Sequence, residues 1–148
     1  MKIDSYFNDI NLTSDQQSAL TAIESFLTDK KQIFILKGYA GTGKTTLIDG
    51  LVSYLEQQHK SFELMAPTGR AAKVLRDKTG YGTTIHSAIY NLEAIETINA
   101  NSEDEAEHAI KYYFPIDISN TVQRVLIVDE ASMISSRKSK NELFDFGT

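Results

Sequence analysis

Apolar residues fall in short blocks, and their spacing switches between a helical and a strand period along the chain. After the polar start LTSDQQ, the residues Ala19, Leu20, Ile23, Phe26 and Leu27 mark an amphipathic helix beginning at Thr13. Ile33 to Leu36 is a continuous run rich in β-branched and aromatic types, which predicts a buried strand. Leu47, Ile48, Leu51, Val52 and Leu55 return to helical spacing and predict a helix over 43–57. Phe62, Leu64, Met65 and Ala66 read as a second strand, closed by Pro67. Ala71, Val74 and Leu75 are spaced as one buried helical face, with Arg70 and Lys73 outward. Ile85, Ala88, Ile89 and Leu92 predict another short helix, and Val125 to Val128 a buried central strand.

Between the first strand and the helix after it lies Gly38-x-x-x-x-Gly43-Lys44-Thr45, the phosphate-binding loop pattern in the context that gives it physical meaning. Glycines at 38, 41 and 43 allow backbone conformations that a side chain would block. Such a turn, Gly38, Ala40, Gly41, Thr42, Gly43 through Thr46, can aim successive N–H groups at phosphate oxygens. The helix beginning near Gly43 adds unpaired N–H groups and the positive end of its dipole. Lys44 is placed to reach the β- and γ-phosphates, and the Thr45 hydroxyl to hold Mg²⁺. The pattern points to a nucleoside triphosphate and leaves open what its energy drives.

Other stretches gain meaning from that loop. Thr13-x-x-Gln16 fits a capping box, in which Gln16 reaches back to the Thr13 N–H. The Gln16 amide equally suits adenine, through its paired donor and acceptor; the segment alone favours the cap, the downstream loop favours adenine. Tyr6 and Phe7 suit packing on the domain, with stacking on a base as the weaker alternative. The strand 125–128 ends in Asp129-Glu130, an acidic pair that is costly at the end of a buried strand unless something cationic is near. Mg²⁺ on a triphosphate is the natural partner, with Asp129 holding the metal and Glu130 activating water as general base. Thr68 at a helix start after a strand suits a backbone phosphate of a polymeric ligand, or an ordinary cap.

Composition alters this picture in one respect. The net charge of −5 argues against nucleic acid, yet Glu93, Glu96, Glu103, Asp104, Glu105 and Glu107 all lie in 91–110, which has no Lys or Arg. Without those six residues the rest of the chain carries +1, so the acidity is local and the sign of a binding face stays open. The block reads as a surface insertion over 91–121, weakly helical at best, with Tyr112, Phe114 and Ile116 alternating as in a short strand or hairpin. The absence of cysteine excludes disulfides and cysteine zinc sites, and the N-terminus shows no apolar signal region. No run reaches the roughly 18 apolar residues of a membrane span. These features favour the cytoplasm and no membrane.

The ordered set LTSDQQSAL, GYAGTGKTT, MAPTGRAAKVL, TIHS and VDEASM resembles the N-terminal motor half of superfamily 1B DNA helicases of the RecD/Dda type, from Leu12 to about Ile134. The resemblance implies an α/β P-loop fold, a RecA-like three-layer sandwich with a mainly parallel sheet, here incomplete. It matches Gln16 to the adenine-reading motif, Lys44 and Thr45 to motif I, and Asp129 and Glu130 to motif II. It also implies single-stranded DNA contacts at Pro67, Thr68 and Arg70 and at Thr84 and His86. The family's γ-phosphate sensor, second RecA-like domain and arginine finger have no counterpart in 1–148.

The expectation is therefore an ATP- and Mg²⁺-binding portion of an ATP-dependent DNA helicase that moves 5′ to 3′ on single strands, with little unwinding by this chain alone. Two other classes compete. A small nucleoside or nucleotide kinase needs an arginine-rich lid, and Arg70, Arg76, Arg124 and Arg137 form no cluster in the sequence. A non-catalytic single-stranded-DNA-binding module would bind strands irrespective of ATP.

Overall fold

The computed structural model describes residues 2–7, 10–91, 96–99, 110–113, 115–116 and 124–135. The chain divides into two compact units, Met1–Phe62 and Glu63–Thr148. The acidic segment 100–109, Phe114 and the basic stretch beyond Ser135 lie outside the described residues.

The first unit is helical. A short 3-10 helix, Ile3–Phe7, precedes α1 (Ser14–Thr28) and α2 (Lys44–Gln57). The capping box at the start of α1 is formed in full: Thr13 Oγ1 accepts from the Gln16 N–H at 3.3 Å, and Gln16 Oε1 accepts from the Thr13 N–H at 2.9 Å. Leu20 and Ile23 of the expected face are buried, and Leu47, Ile48, Leu51, Val52 and Leu55 bury the inner side of α2. Ile3 and Phe7 join this core, so the packing role expected for Phe7 holds. Tyr6 likewise packs, edge-on to Tyr54 with ring centroids 5.9 Å apart. At the end of α2, His59 takes a left-handed φ of 51° and its N–H bonds back to the Glu56 carbonyl, closing the helix.

One element of this unit departs from the sequence reading. Ile33–Leu36 is not a buried strand: no ladder is formed, and Ile33 and Ile35 are 78% and 71% exposed. Phe34 packs on Phe26, with centroids 5.4 Å apart. An apolar run becomes a doubly buried strand only where neighbours flank it and layers cover both faces. Here Phe34 finds a partner on α1 while the residues on either side of it face outward.

The second unit carries the sheet. It contains β1 (Phe62–Ala66), α3 (Gly69–Thr79), β2 (Thr83–Thr84), α4 (Ile85–Ile89), β3 (Glu96–Asn99), β4 (Ile110–Tyr113), β5 (Val125–Val128) and a 3-10 turn, Ala131–Met133. The order of the parallel sheet is β2-β1-β5. Parallel pairing sets Met65 opposite Thr83 and Ala66 opposite Thr84, and the Asp129 N–H donates to the Met65 carbonyl at 2.9 Å. Leu64, Met65 and Ala66 are buried in the centre. β5 is thus at the edge among the described strands rather than central, and Leu126 is 55% exposed.

One further detail differs from expectation, and another gives the hairpin allowed for at Tyr112 to Ile116 its bounds. On α3 the buried residues are Ala72 and Leu75, and Val74 is exposed. The turn at Gly82 sets this choice, because it lies against the Ala72 carbonyl and Leu75 Cβ. The segment 91–121 contains an antiparallel hairpin of β3 and β4, with Glu96 opposite Tyr113 and Asn99 opposite Ile110. Its base is tied by a Tyr90–Ile116 bridge and an Asn91 N–H to Pro115 carbonyl bond of 2.8 Å. The acidic composition concealed β3, whose partner strand lies beyond the charged residues that follow it in sequence.

Candidate active site

The phosphate loop is held by its own short-range bonds. The Thr42 hydroxyl donates to the Tyr39 carbonyl at 2.9 Å, closing the tip. The Lys44 ammonium donates to the Gly38 and Tyr39 carbonyls, both at 2.8 Å, closing the neck. At Gly38 an added Cβ would lie 2.8 Å from Thr42 Oγ1 and would force that hydroxyl to shift. Gly43 is the N-cap of α2 with a left-handed φ of 82°, and it offers no side chain to the first-turn N–H groups. Those groups and the helix dipole favour an anion at this end. Gly38, Ala40 and Gly41 are exposed, while Gly43, Lys44, Thr45 and Thr46 are half-buried. The geometry fits a polyphosphate.

Gln16 belongs to the same cluster. Its Nε2 donates to the Thr42 carbonyl at 3.0 Å while its Oε1 holds the cap of α1. The sequence offered the cap and adenine as rival roles; the cap is formed, and the contact with the loop was not foreseen. Nothing local in LTSDQQ signals it, because its partner is 26 residues away.

In the second unit the remaining candidates lie at the carboxyl ends of the parallel strands, where such sheets receive ligands. β1 leads to Pro67, Thr68 and Arg70, its neighbour β2 leads to His86 from Thr84, and β5 leads to Asp129 and Glu130. Thr68 caps α3 by accepting from the Ala71 N–H at 3.2 Å, and Arg70 is exposed. Thr84 caps α4 through the Ser87 N–H at 3.1 Å, with Ser87 Oγ 2.8 Å from its hydroxyl. His86 is exposed and stacks on Tyr90, with centroids 6.0 Å apart and planes at 27°. Tyr90 was not singled out in the sequence, although its i, i+4 spacing from His86 was a usable signal.

Asp129 is half-buried, and its Oδ1 accepts from the Glu130 N–H at 2.9 Å. Glu130 is exposed and takes a left-handed φ of 52°, a rare conformation for a residue with a side chain. Such backbone strain collects at functional turns. Among the described residues no three His, Cys or acidic side chains gather to hold a metal. Nor is any described helix long and apolar enough to cross a membrane.

An AAA domain family model matches residues 11–145. The ATP-dependent DNA helicase dda of Enterobacteria phage T4 is 32% identical over 132 residues, covering 88% of this chain. The aligned region is 28% of that helicase's length. No solved structure matches. The loop, the α/β sheet and the family match place the chain in the AAA domain family, with part of a DNA helicase among the proteins it resembles.

Proposed function

We propose that this chain is the ATP-binding portion of an ATP-dependent DNA helicase that moves 5′ to 3′ on single-stranded DNA. The observation that carries the reading is the loop of Gly38 to Thr46 at the uncapped N-terminus of α2, with Lys44 at its neck. Lys44 and the loop N–H groups bind and orient the triphosphate. Thr45 and Asp129 would each offer an oxygen to Mg²⁺, which when bound would offset phosphate charge. Glu130 takes the proton of the attacking water. Pro67, Thr68, Arg70, Thr84 and His86 contact the strand, where phosphate contacts position it and the His86–Tyr90 stack offers an aromatic platform for a base.

The kinase alternative loses ground on one point. Arg76 donates to the Gly82 carbonyl through both Nε and Nη2, and Arg124 is ion-paired with Glu63, so neither is available to an arginine lid. Titration of the chain with Mg·ATP and with an oligo-dT strand, each in the presence and absence of the other, tests the proposal. Binding of both ligands supports it. Failure to bind Mg·ATP overturns it, and strand binding indifferent to nucleotide would leave a simple single-strand-binding module.

A further inference from the structure

The Gln16 side chain is used at both ends. Thr13 supplies a donor and Thr42 an acceptor, so a single orientation of the amide satisfies both contacts, at 2.9 and 3.0 Å. The second contact fixes more than a carbonyl. The Thr42 C=O and the Gly43 N–H share one planar trans peptide and point in opposite directions. Drawing the carbonyl toward Gln16 therefore turns the Gly43 N–H away from it. The amide also lies directly against Gly43, because a Cβ at that position would sit 2.7 Å from Gln16 Nε2.

We propose that Gln16 is a positioning residue for the phosphate loop: a strut that presets the Gly43 N–H for a phosphate oxygen, whatever base the ligand carries. This rests on the reading of the loop as a triphosphate site. It goes beyond adenine reading, because a ligand with no base at all would sense Gln16. Oε1 retains a lone pair and Nε2 a second hydrogen, so the strut leaves room for a base contact.

The test measures the affinity of the whole chain for Mg·ATP and for base-free magnesium tripolyphosphate, in wild type, Gln16→Met and Thr13→Ala. Gln16→Met keeps the side-chain length and loses both hydrogen bonds. Thr13→Ala removes the hydroxyl half of the cap and leaves the bond from Gln16 to Thr42 intact. Gln16→Met is expected to weaken tripolyphosphate binding about three- to tenfold, the worth of one preset hydrogen bond. Thr13→Ala is expected to leave that binding unchanged while lowering Tm. If Gln16→Met weakens ATP and spares tripolyphosphate, Gln16 only reads the base and the strut is refuted. Equal weakening by Thr13→Ala would assign the effect to the cap and refute it too. A wild-type chain that binds neither ligand overturns the triphosphate reading itself.

Discussion

The far end of the Phe7 ring rests on Gly50 so closely that position 50 has no room for a methyl group. This contact fastens the N-terminal 3-10 helix to α2, beside the edge-on pair of Tyr6 and Tyr54. Alanine is better than glycine inside a helix by about 1 kcal/mol. Overpacking a core costs more, about 1–3 kcal/mol. Gly50→Ala should therefore lower the stability of the first unit despite its gain in propensity. Urea unfolding reads the sign directly, and a stabilised variant would show that the Phe7 ring moves aside freely.

Lys44→Ala removes the ammonium that now bonds the Gly38 and Tyr39 carbonyls. Charge-assisted bonds to phosphate are the stronger kind, so Mg·ATP affinity should fall roughly 10- to 100-fold. Lys44 is only half-buried, and the circular dichroism spectrum should not change. Retained affinity by isothermal titration would remove the loop from the binding site.

Gly41 and Gly43 separate two effects. Both have positive φ, 78° and 82°, but a Cβ at Gly41 meets open space and one at Gly43 meets the Gln16 amide. Left-handed backbone costs an alanine about 1–2 kcal/mol at either position. Gly43→Ala should exceed Gly41→Ala in both lost stability and lost nucleotide affinity. Equal effects of the two substitutions would mean that backbone strain alone matters there.

Glu63 at the second position of β1 and Arg124 just before β5 form a 2.7 Å ion pair, with side chains 21% and 26% exposed. The buried Glu63 Oε2 accepts no well-aligned hydrogen bond, so the attraction is mainly between charges. Leaving one half-buried charge alone is costly. Arg124→Met and Glu63→Gln should each destabilise, and the double variant should lose less than their sum by about 0.5–3 kcal/mol. Strict additivity in a denaturation cycle would show that the pair contributes nothing.

Arg70 tests the strand interface. If it meets a phosphate, Arg70→Ala should weaken oligo-dT binding and reduce the salt slope of log K by about 0.7. His86→Ala should also weaken binding, by roughly 1–3 kcal/mol if a base stacks there. Anisotropy titrations over a range of salt concentrations measure both, and an unchanged slope for Arg70→Ala would place that residue off the path.

The sequence was most readable where structure is decided locally. The cap at Thr13, the buried stripe of α2 and the left-handed Gly41 and Gly43 depend on near neighbours, and all are found as expected. Burial of strands was less readable, because it depends on what lies alongside. Ile33 and Ile35 have the composition of a core strand and face outward, and Leu126 does the same at an edge. On α3 the spacing pointed to Ala71, Val74 and Leu75, but Val74 is exposed and Ala72 is buried with Leu75, where the distant Gly82 turn lies against them. The bond from Gln16 to the loop was invisible for the same reason. The linear pattern names the donor without naming the acceptor.

The hairpin of β3 and β4 falls between α4 and β5 in chain order, tied at its root by the Tyr90–Ile116 bridge. A root closed in this way fixes the two ends of the chain it encloses, and each doubling of a closed span costs only about 0.6 kcal/mol. Lengthening, trimming or grafting between β3 and β4 should therefore be tolerated by the parallel sheet, which makes this hairpin the natural place to attach a probe or a foreign segment.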